Sequence, residues 1–314
     1  MKIALYARGW DMVEWTQRIE AALPGSEVRT ADRLGDVNEI DYAFVWKPEP
    51  GFLTQFPNLK LICSLGAGVD ALLSDATLPA DVPLVRVIDP DLTNRMSEWV
   101  LLQVLMHHRK ALDYLQAQSE SRWAFREDPI ASEVRVGIMG LGVLGLDAAE
   151  KLKMMGYQVS GWSRSPKEID GLQTYHGSDG LDAMLARTDI LVCLLPHTPA
   201  TEGILNLSLF RKMAQDGVLG GPYVLNAGRG KLQIEDDIAT AVTEGTLKGA
   251  SLDVFEVEPL KKDSPLWSLP GVILTPHNAA CSNANSTTNY LARQVMLFAE
   301  GKEPESLVDR SVGY

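Results

Sequence analysis

Cysteine is scarce: the 314 residues hold three, at Cys63, Cys193 and Cys281, odd in number and far apart. That excludes a disulfide framework and a CxxC metal site, and leaves small core residues in a reducing compartment as the expectation. Basic residues are also short, 29 Lys and Arg against 41 Asp and Glu, for a formal net charge of −12. Nucleic acids and anionic membranes bind through basic patches, so neither is an expected partner. No apolar run approaches the ~18 residues that would span a bilayer. The N-terminal stretch MKIALYARGW alternates like a strand and has too short an apolar core for a signal peptide. A cytoplasmic protein is therefore expected. The five histidines form no ligand cluster, so no metal is expected. His107 and His108, adjacent on a predicted helix, point in different directions.

What is present is a soluble globular composition with length for two domains. Residues 2–7 read as a strand and Asp11 to Leu23 as a helix ended by Pro24-Gly25. Strand-like runs follow at Tyr42 to Trp46, Leu59 to Ser64 and Leu84 to Val87. Others stand at Gln158 to Trp162, Ile190 to Leu194, Tyr223 to Asn226, Gly249 to Leu252 and Val272 to Leu274, with helical segments between most of them. This alternation predicts an α/β fold of two doubly wound parallel-sheet domains, a Rossmann cofactor domain inserted in a flavodoxin-like substrate domain. Met96 to Ala117 lacks Gly and Pro and predicts one long bridging helix. Asn283 to Glu300 reads as a closing helix, and the tail after it is expected to pack on the first domain. The expected boundaries are 1–95 plus 285–314 for the substrate domain and 96–284 for the NAD(P)-binding domain.

The chain is organised around VRVGIMGLGVLG at 134–145, an apolar strand that breaks into glycines before a helix-forming segment. Gly140 permits a tight turn, Gly142 lets main-chain N–H groups approach a pyrophosphate, and Gly145 lets the helix pack on the strand. Val143 and Leu144 would open that helix, whose N-terminus favours an anion. An NAD site usually carries an acid at the end of its second strand. Here that end reads Ser163-Arg164-Ser165, with Lys167 beyond. Hydroxyls and a guanidinium suit a 2′-phosphate, so NADP(H) is preferred over NAD(H) as cofactor. A shorter glycine turn, Gly66-Ala67-Gly68, has N–H groups that suit a carboxylate, and serves equally as a plain tight connection.

Three later strand ends carry polar residues aimed at the nicotinamide crevice: NAGRG with Arg229, LDVFEVEP with Asp253 and Glu258, and TPHNAA with His277. Together with SLGAGVD, GLGVLG and LLPHTPAT, this ordered set resembles the D-isomer-specific 2-hydroxyacid dehydrogenase family over nearly the whole chain. WSRS, Trp46 in FVWKP and the VDRSVGY terminus resemble its glyoxylate/hydroxypyruvate reductase A group. The resemblance implies catalytic roles for Arg229, which holds the substrate carboxylate and polarises the carbonyl, for His277 as proton donor, and for Glu258 as the acid paired with it. It further implies that Ala67 and Gly68 grip the carboxylate and that Trp46 covers a small substrate. Leu195, Pro196 and Ala227 would border the cofactor, and Asp253 would meet the nicotinamide carboxamide. Glu98 is similar in place to a family glutamate on the bridging helix, but is read in preference as an exposed helical acid. The missing ribose acid departs from the NAD-using majority.

The function so implied is NADPH-dependent reduction of a short 2-keto acid such as glyoxylate or hydroxypyruvate. Its small 2-hydroxy acid product makes the chain an oxidoreductase, and a homodimer is expected from the apolar stripe of the bridging helix and from the resemblance. A sister dehydrogenase for another acid, for phosphite or for formate, and a non-catalytic nucleotide-sensing regulator, are the alternatives.

Overall fold

The structure is a computed structural model and describes residues 1–281 and 283–310. Described residues before Thr93 and after Cys281 form one compact unit, and Thr93–Cys281 forms the other.

The first unit runs β1 (Lys2–Ala7), α1 (Met12–Ala22), β2 (Glu27–Thr30), β3 (Tyr42–Trp46), β4 (Leu61–Ser64), α2 (Asp70–Leu73) and β5 (Leu84–Val85). Asp11 starts α1 because its carboxylate accepts the otherwise unpaired N–H groups of Val13 and Glu14 at 2.9 and 3.2 Å. All strand pairs are parallel, in the order β2-β1-β3-β4-β5. That is the flavodoxin-like order. The inner strands β1, β3 and β4 are largely apolar for a physical reason: successive side chains point to opposite faces, and both faces are covered. Ile3, Leu5, Phe44 and Cys63 pack into one core, whereas Ala4, Ala43, Val45 and Ile62 pack into another.

The second unit follows α3 (Pro90–His108), whose first residues belong to the first unit. It continues through α4 (Ala111–Ser119), β6 (Arg135–Met139), α5 (Val143–Met154), β7 (Gln158–Ser163), β8 (Gln173–His176), α6 (Gly177–Leu185), β9 (Ile190–Cys193) and α7 (Leu207–Phe210). The last elements are β10 (Tyr223–Asn226), α8 (Glu235–Glu244), β11 (Gly249–Leu252) and β12 (Val272–Leu274). The sheet order is β12-β11-β10-β9-β6-β7-β8, again parallel throughout. Read from β6, it is the doubly wound nucleotide-binding order with one strand added. Its topological switch point lies between β6 and β9, at the glycine turn. The chain then returns to the first unit as α9 (Ala284–Ala299), which buries Leu291 and Val295 beside Ile3 and Phe44. The tail stays there: Val308 N donates to Leu84 O at 2.9 Å, and an Arg310 Nη1 donates to Pro79 O at 2.7 Å. Of the VDRSVGY terminus, Ser311 to Tyr314 lie outside the described residues.

The single bridging helix expected from Met96 to Ala117 is two helices. α3 starts earlier, at Pro90, and the path breaks at Lys110, which adopts a left-handed conformation (φ 50, ψ 41) before α4. The break falls where two buried histidines of the last α3 turn are pinned by different partners. His107 Nε2 meets Ser251 Oγ at 2.8 Å, while His108 meets Tyr157 Oη and Pro129 O, each at 2.7 Å.

Burial alone pulls the His107 imidazole down to about 4. The unfolded chain takes up a proton near pH ~6.5, well before the native one does. This group is therefore neutral in both states above that pH, and stability falls as pH drops from ~6.5 towards the folded value. The loss amounts to about 3 kcal/mol. Denaturant unfolding of wild type and His107→Gln across that range checks it: wild type should lose this increment and the variant should not.

Candidate active site

β6 ends at Met139 and α5 begins at Val143, so three residues turn the chain. Gly140 sits at φ +108, where a Cβ would stand 2.8 Å from Leu194 O; at Gly145 a Cβ would overlap Gly140 O at 1.9 Å. Glycine at these two positions is what lets strand, helix and the neighbouring β9 connection approach so closely. At Gly142 the space is open, and no side chain caps α5. The first-turn N–H groups of α5 thus face a cradle that suits a pyrophosphate, whose charge they and the helix dipole would stabilise. Val143 is exposed and Leu144 half-buried in that first turn.

At the end of β7, Ser163 is buried and its hydroxyl donates to Ser165 O at 2.8 Å, which folds the segment back and leaves Arg164 and Ser165 exposed. Lys167 Nζ donates to Leu141 O at 2.7 Å, tying this segment to the glycine turn. The residue types are those of a phosphate site rather than of a ribose diol site.

The remaining strand ends lie along one edge. Main-chain bonds continue the ladder past the strands: Leu194 N to Met139 O at 2.9 Å, Ala227 N to Cys193 O at 3.2 Å, Asp253 N to Asn226 O and Thr275 N to Leu252 O at 3.0 Å each. Gly140, Leu195, Ala227, Asp253 and the His277 loop are therefore neighbours in rank order along that edge, with Pro196 just beyond Leu195. Arg229 follows Ala227 on a turn shaped by a buried amide. Asn226 Oδ1 accepts from Gly228 N at 3.0 Å, and its Nδ2 donates to Arg229 O at 3.1 Å and to Gln233 Oε1 at 2.8 Å. Gly228 and Gly230 flank the arginine because a Cβ at either would collide with Leu195 O or Phe255 O. Arg229 Nη1 donates to Gly228 O at 2.7 Å.

Glu258 and His277, 19 residues apart in sequence, meet: His277 Nδ1 stands 2.9 and 2.8 Å from the two carboxylate oxygens. A carboxylate only accepts, so Nδ1–H donates and Nε2 is the ring atom left to carry a second proton. The pair is fixed from behind. Phe255 N donates to Glu258 Oε1 at 3.2 Å, and His277 N donates to Asp253 O at 2.8 Å. His277 itself holds φ +53. A left-handed backbone at a residue with a Cβ is strained, and such strain persists where the surroundings impose it. Asp253 supplies much of that: its carboxylate accepts from Thr275 Oγ1 at 2.6 Å and from the N–H groups of Asn278 and Ala279 at 3.0 Å. Burial pushes the Asp253 carboxyl up from its ordinary range, against these donors and against nearby His277.

In the first unit, Trp46 and the Gly66-Ala67-Gly68 turn come together. The Trp46 ring lies where a Cβ on Gly66 would be, 2.1 Å from the nearest ring atom, and it stacks on Trp10 with centroids 5.8 Å apart. Ala67 and Gly68 are half-buried, and Ala67 O accepts from Arg86 Nη1 at 3.5 Å. Glu98 is exposed on α3, in keeping with the plainer of its two readings. Asn226, Thr275 and Trp99 carry no sequence signal of their own, although NAGRG and TPH contain two of them. Among the described residues no group of three or more His, Cys, Asp or Glu is placed to hold a metal ion. Among the same residues no helix is long and apolar enough to cross a membrane.

Residues 101–279 match the family model described as D-isomer specific 2-hydroxyacid dehydrogenase, NAD binding domain. Over the whole length of both chains, the protein is 38% identical to a glyoxylate/hydroxypyruvate reductase A from Serratia proteamaculans. Among solved structures it is similar to a probable 2-hydroxyacid dehydrogenase from Rhizobium etli in complex with NADP, HEPES and L(+)-tartaric acid. That likeness has TM-score 0.94 and 47% identity, over 100% of this chain and 99% of the other. An NADPH-dependent glyoxylate/hydroxypyruvate reductase from Sinorhizobium meliloti, in complex with NADP and sulfate, matches with TM-score 0.93 and 45% identity over the same shares. With the matching fold, the glycine turn and the strand-end residues, these likenesses show that the chain belongs to the D-isomer specific 2-hydroxyacid dehydrogenase family.

Proposed function

We propose that the protein reduces short 2-keto acids, glyoxylate and hydroxypyruvate, to the 2-hydroxy acids with NADPH. The observation that carries this reading is the 2.8 Å pairing of His277 with Glu258 on the sheet edge that also bears Arg229 and the glycine turn. The names of the Serratia and Sinorhizobium relatives support the same substrates, and the NADP in the two structures supports the cofactor.

Cofactor binding is assigned to the unit Thr93–Cys281. The turn Gly140, Gly142 and Gly145 with Val143 and Leu144 would hold the pyrophosphate, and Ser163, Arg164 and Ser165 the 2′-phosphate, with Lys167 adding charge. Leu195, Pro196 and Ala227 would line the nicotinamide end, and Asp253 would meet its carboxamide. When bound, NADPH supplies the hydride for the carbonyl carbon. The chain's own residues do the rest. The Arg229 fork holds the carboxylate and the carbonyl oxygen and disperses the negative charge that develops there. His277 Nε2 gives that oxygen its proton, while Glu258 holds the ring and stabilises its charged form before transfer. In the reverse direction neutral His277 takes the alcohol proton. The unit built from both chain ends is assigned the substrate role, with Ala67 and Gly68 N–H groups on the carboxylate and Trp46 as cover. An anionic substrate needs such local donors because the protein carries a net charge of −12.

A homodimer is part of this reading. Trp123 and Phe125, on the connector after α4, are 96% and 86% exposed. Water-facing aromatics of that size favour cover by a second copy, and sedimentation velocity measures the state directly. A cytoplasmic site fits an NADPH-linked reductase with three free thiols.

The test is steady-state reduction of glyoxylate, hydroxypyruvate and bulkier keto acids with NADPH and NADH, in wild type and Arg164→Ala. Wild type should favour NADPH and the short acids. The variant should lose about ten- to a hundred-fold in kcat/KM with NADPH, the value of a charged hydrogen bond, and little with NADH. No NADPH consumption with any short keto acid contradicts the function; equal loss with both nucleotides places the 2′-phosphate elsewhere.

A further inference from the structure

We infer that Trp99 and Thr275 are positioning residues for the proton donor: the hydrogen-bond chain Trp99–Thr275–Asp253 fixes the left-handed loop that presents His277. The inference rests on His277 having the role proposed above.

Trp99 is buried on α3, and its indole Nε1 donates to Thr275 Oγ1 at 3.1 Å. Thr275 Oγ1 lies 2.6 Å from Asp253 Oδ1. The directions are forced, because an indole N–H only donates and a carboxylate only accepts, so the hydroxyl takes one bond and gives the other. The same carboxylate then grips the two residues after the histidine, through Asn278 N at Oδ1 and Ala279 N at Oδ2, each at 3.0 Å. The Asp253 main-chain oxygen holds the His277 amide at 2.8 Å. His277 is thus clamped on both sides, at φ +53. Local preference does not supply that conformation, so the clamp must. Donation from Trp99 polarises the hydroxyl and strengthens its own donation to the carboxylate.

The groups facing the Asp253 carboxylate are Thr275, Asn278, Ala279 and His277, all of which favour its ionised form against burial. Removing the hydroxyl subtracts one of them, leaving the indole N–H without this partner and Asp253 Oδ1 with the Asn278 N–H alone. With one donor to the ionised form gone, the carboxyl keeps its proton to higher pH than in the wild type, and a protonated Asp253 holds the loop less well.

The test compares full-length Thr275→Val, Thr275→Ser and Trp99→Phe for kcat, KM, NADPH affinity, thermal midpoint and the pH profile of kcat. Thr275→Val should lose about ten- to a hundred-fold in kcat, the value of a hydrogen bond to a charged group. NADPH affinity should change less, and the acid limb of the kcat profile should move to higher pH. Thr275→Ser should restore most of kcat. Trp99→Phe, which leaves the hydroxyl in place, should give a smaller loss in the same direction, and it decides the matter if Thr275→Val does not fold. Unchanged kcat and acid limb in Thr275→Val, or in Trp99→Phe where it stands alone, overturns the inference. So does an equal loss in the Val and Ser variants, or a loss confined to the thermal midpoint. His277→Ala separates the two levels: full activity there removes the proton-donor role itself, whereas a disabled His277→Ala beside a normal Thr275→Val removes only the positioning chain.

Discussion

His277→Ala is expected to lose on the order of 10²–10⁴ in kcat for glyoxylate reduction, the range in which a positioned general acid contributes. The side chain is 38% exposed and hydrogen-bonds the Glu258 carboxylate, so its removal empties no core. The expected cost in stability is correspondingly small. NADPH titration of the variant by fluorescence should give the wild-type affinity, because the glycine turn and the Ser163–Ser165 segment are untouched. A loss in kcat with binding intact is the signature of an interaction made in the transition state. Glu258→Gln should fall in the same direction by less, since the amide oxygen still accepts from Nδ1–H while the negative charge is gone. Wild-type turnover in His277→Ala contradicts the assignment.

Arg229→Gln is expected to lose on the order of 10³ in kcat/KM, and Arg229→Lys on the order of 10². Lysine keeps the charge but not the planar fork, so the difference between the two variants measures what bidentate geometry adds over charge alone. The turn beneath the arginine is shaped by Asn226, Gly228 and Gly230, and the guanidinium adds one bond to it, Nη1 to Gly228 O at 2.7 Å, so stability is read beside activity. The measurement is kcat/KM for glyoxylate together with the thermal midpoint. Equal activity of Arg229→Gln and wild type contradicts the role, and a drop that follows unfolding assigns the arginine to structure.

The sequence displays those elements whose physics is local. An inner strand such as Ile190–Cys193 is legible because a parallel strand covered on both faces is apolar along its length. The glycine turn is legible because Gly140 and Gly145 answer close approaches that no other residue permits. β2, reading EVRT, and β8, reading QTYH, show no such pattern: each is the outermost strand of its sheet and half-exposed, so nothing forces apolar side chains there. The break at Lys110 leaves no mark either, since a left-handed lysine has no compositional signal, whereas Pro90 at the start of α3 was a signal available to be read. In the site, Arg229, Glu258 and His277 stand out as polar residues after apolar runs. Trp99 and Thr275 do not, because their bond spans 176 positions and only the folded sheet brings them within 3.1 Å.

The most direct measurement uses NADPH deuterated at the transferable position, with glyoxylate as substrate and mass analysis of the glycolate formed. One deuterium on the 2-carbon of each product molecule, in step with NADPH oxidised, is the expected result. Oxidation of NADPH with no deuterium in the acid contradicts hydride delivery to the keto carbon, and with it the function assigned to this chain.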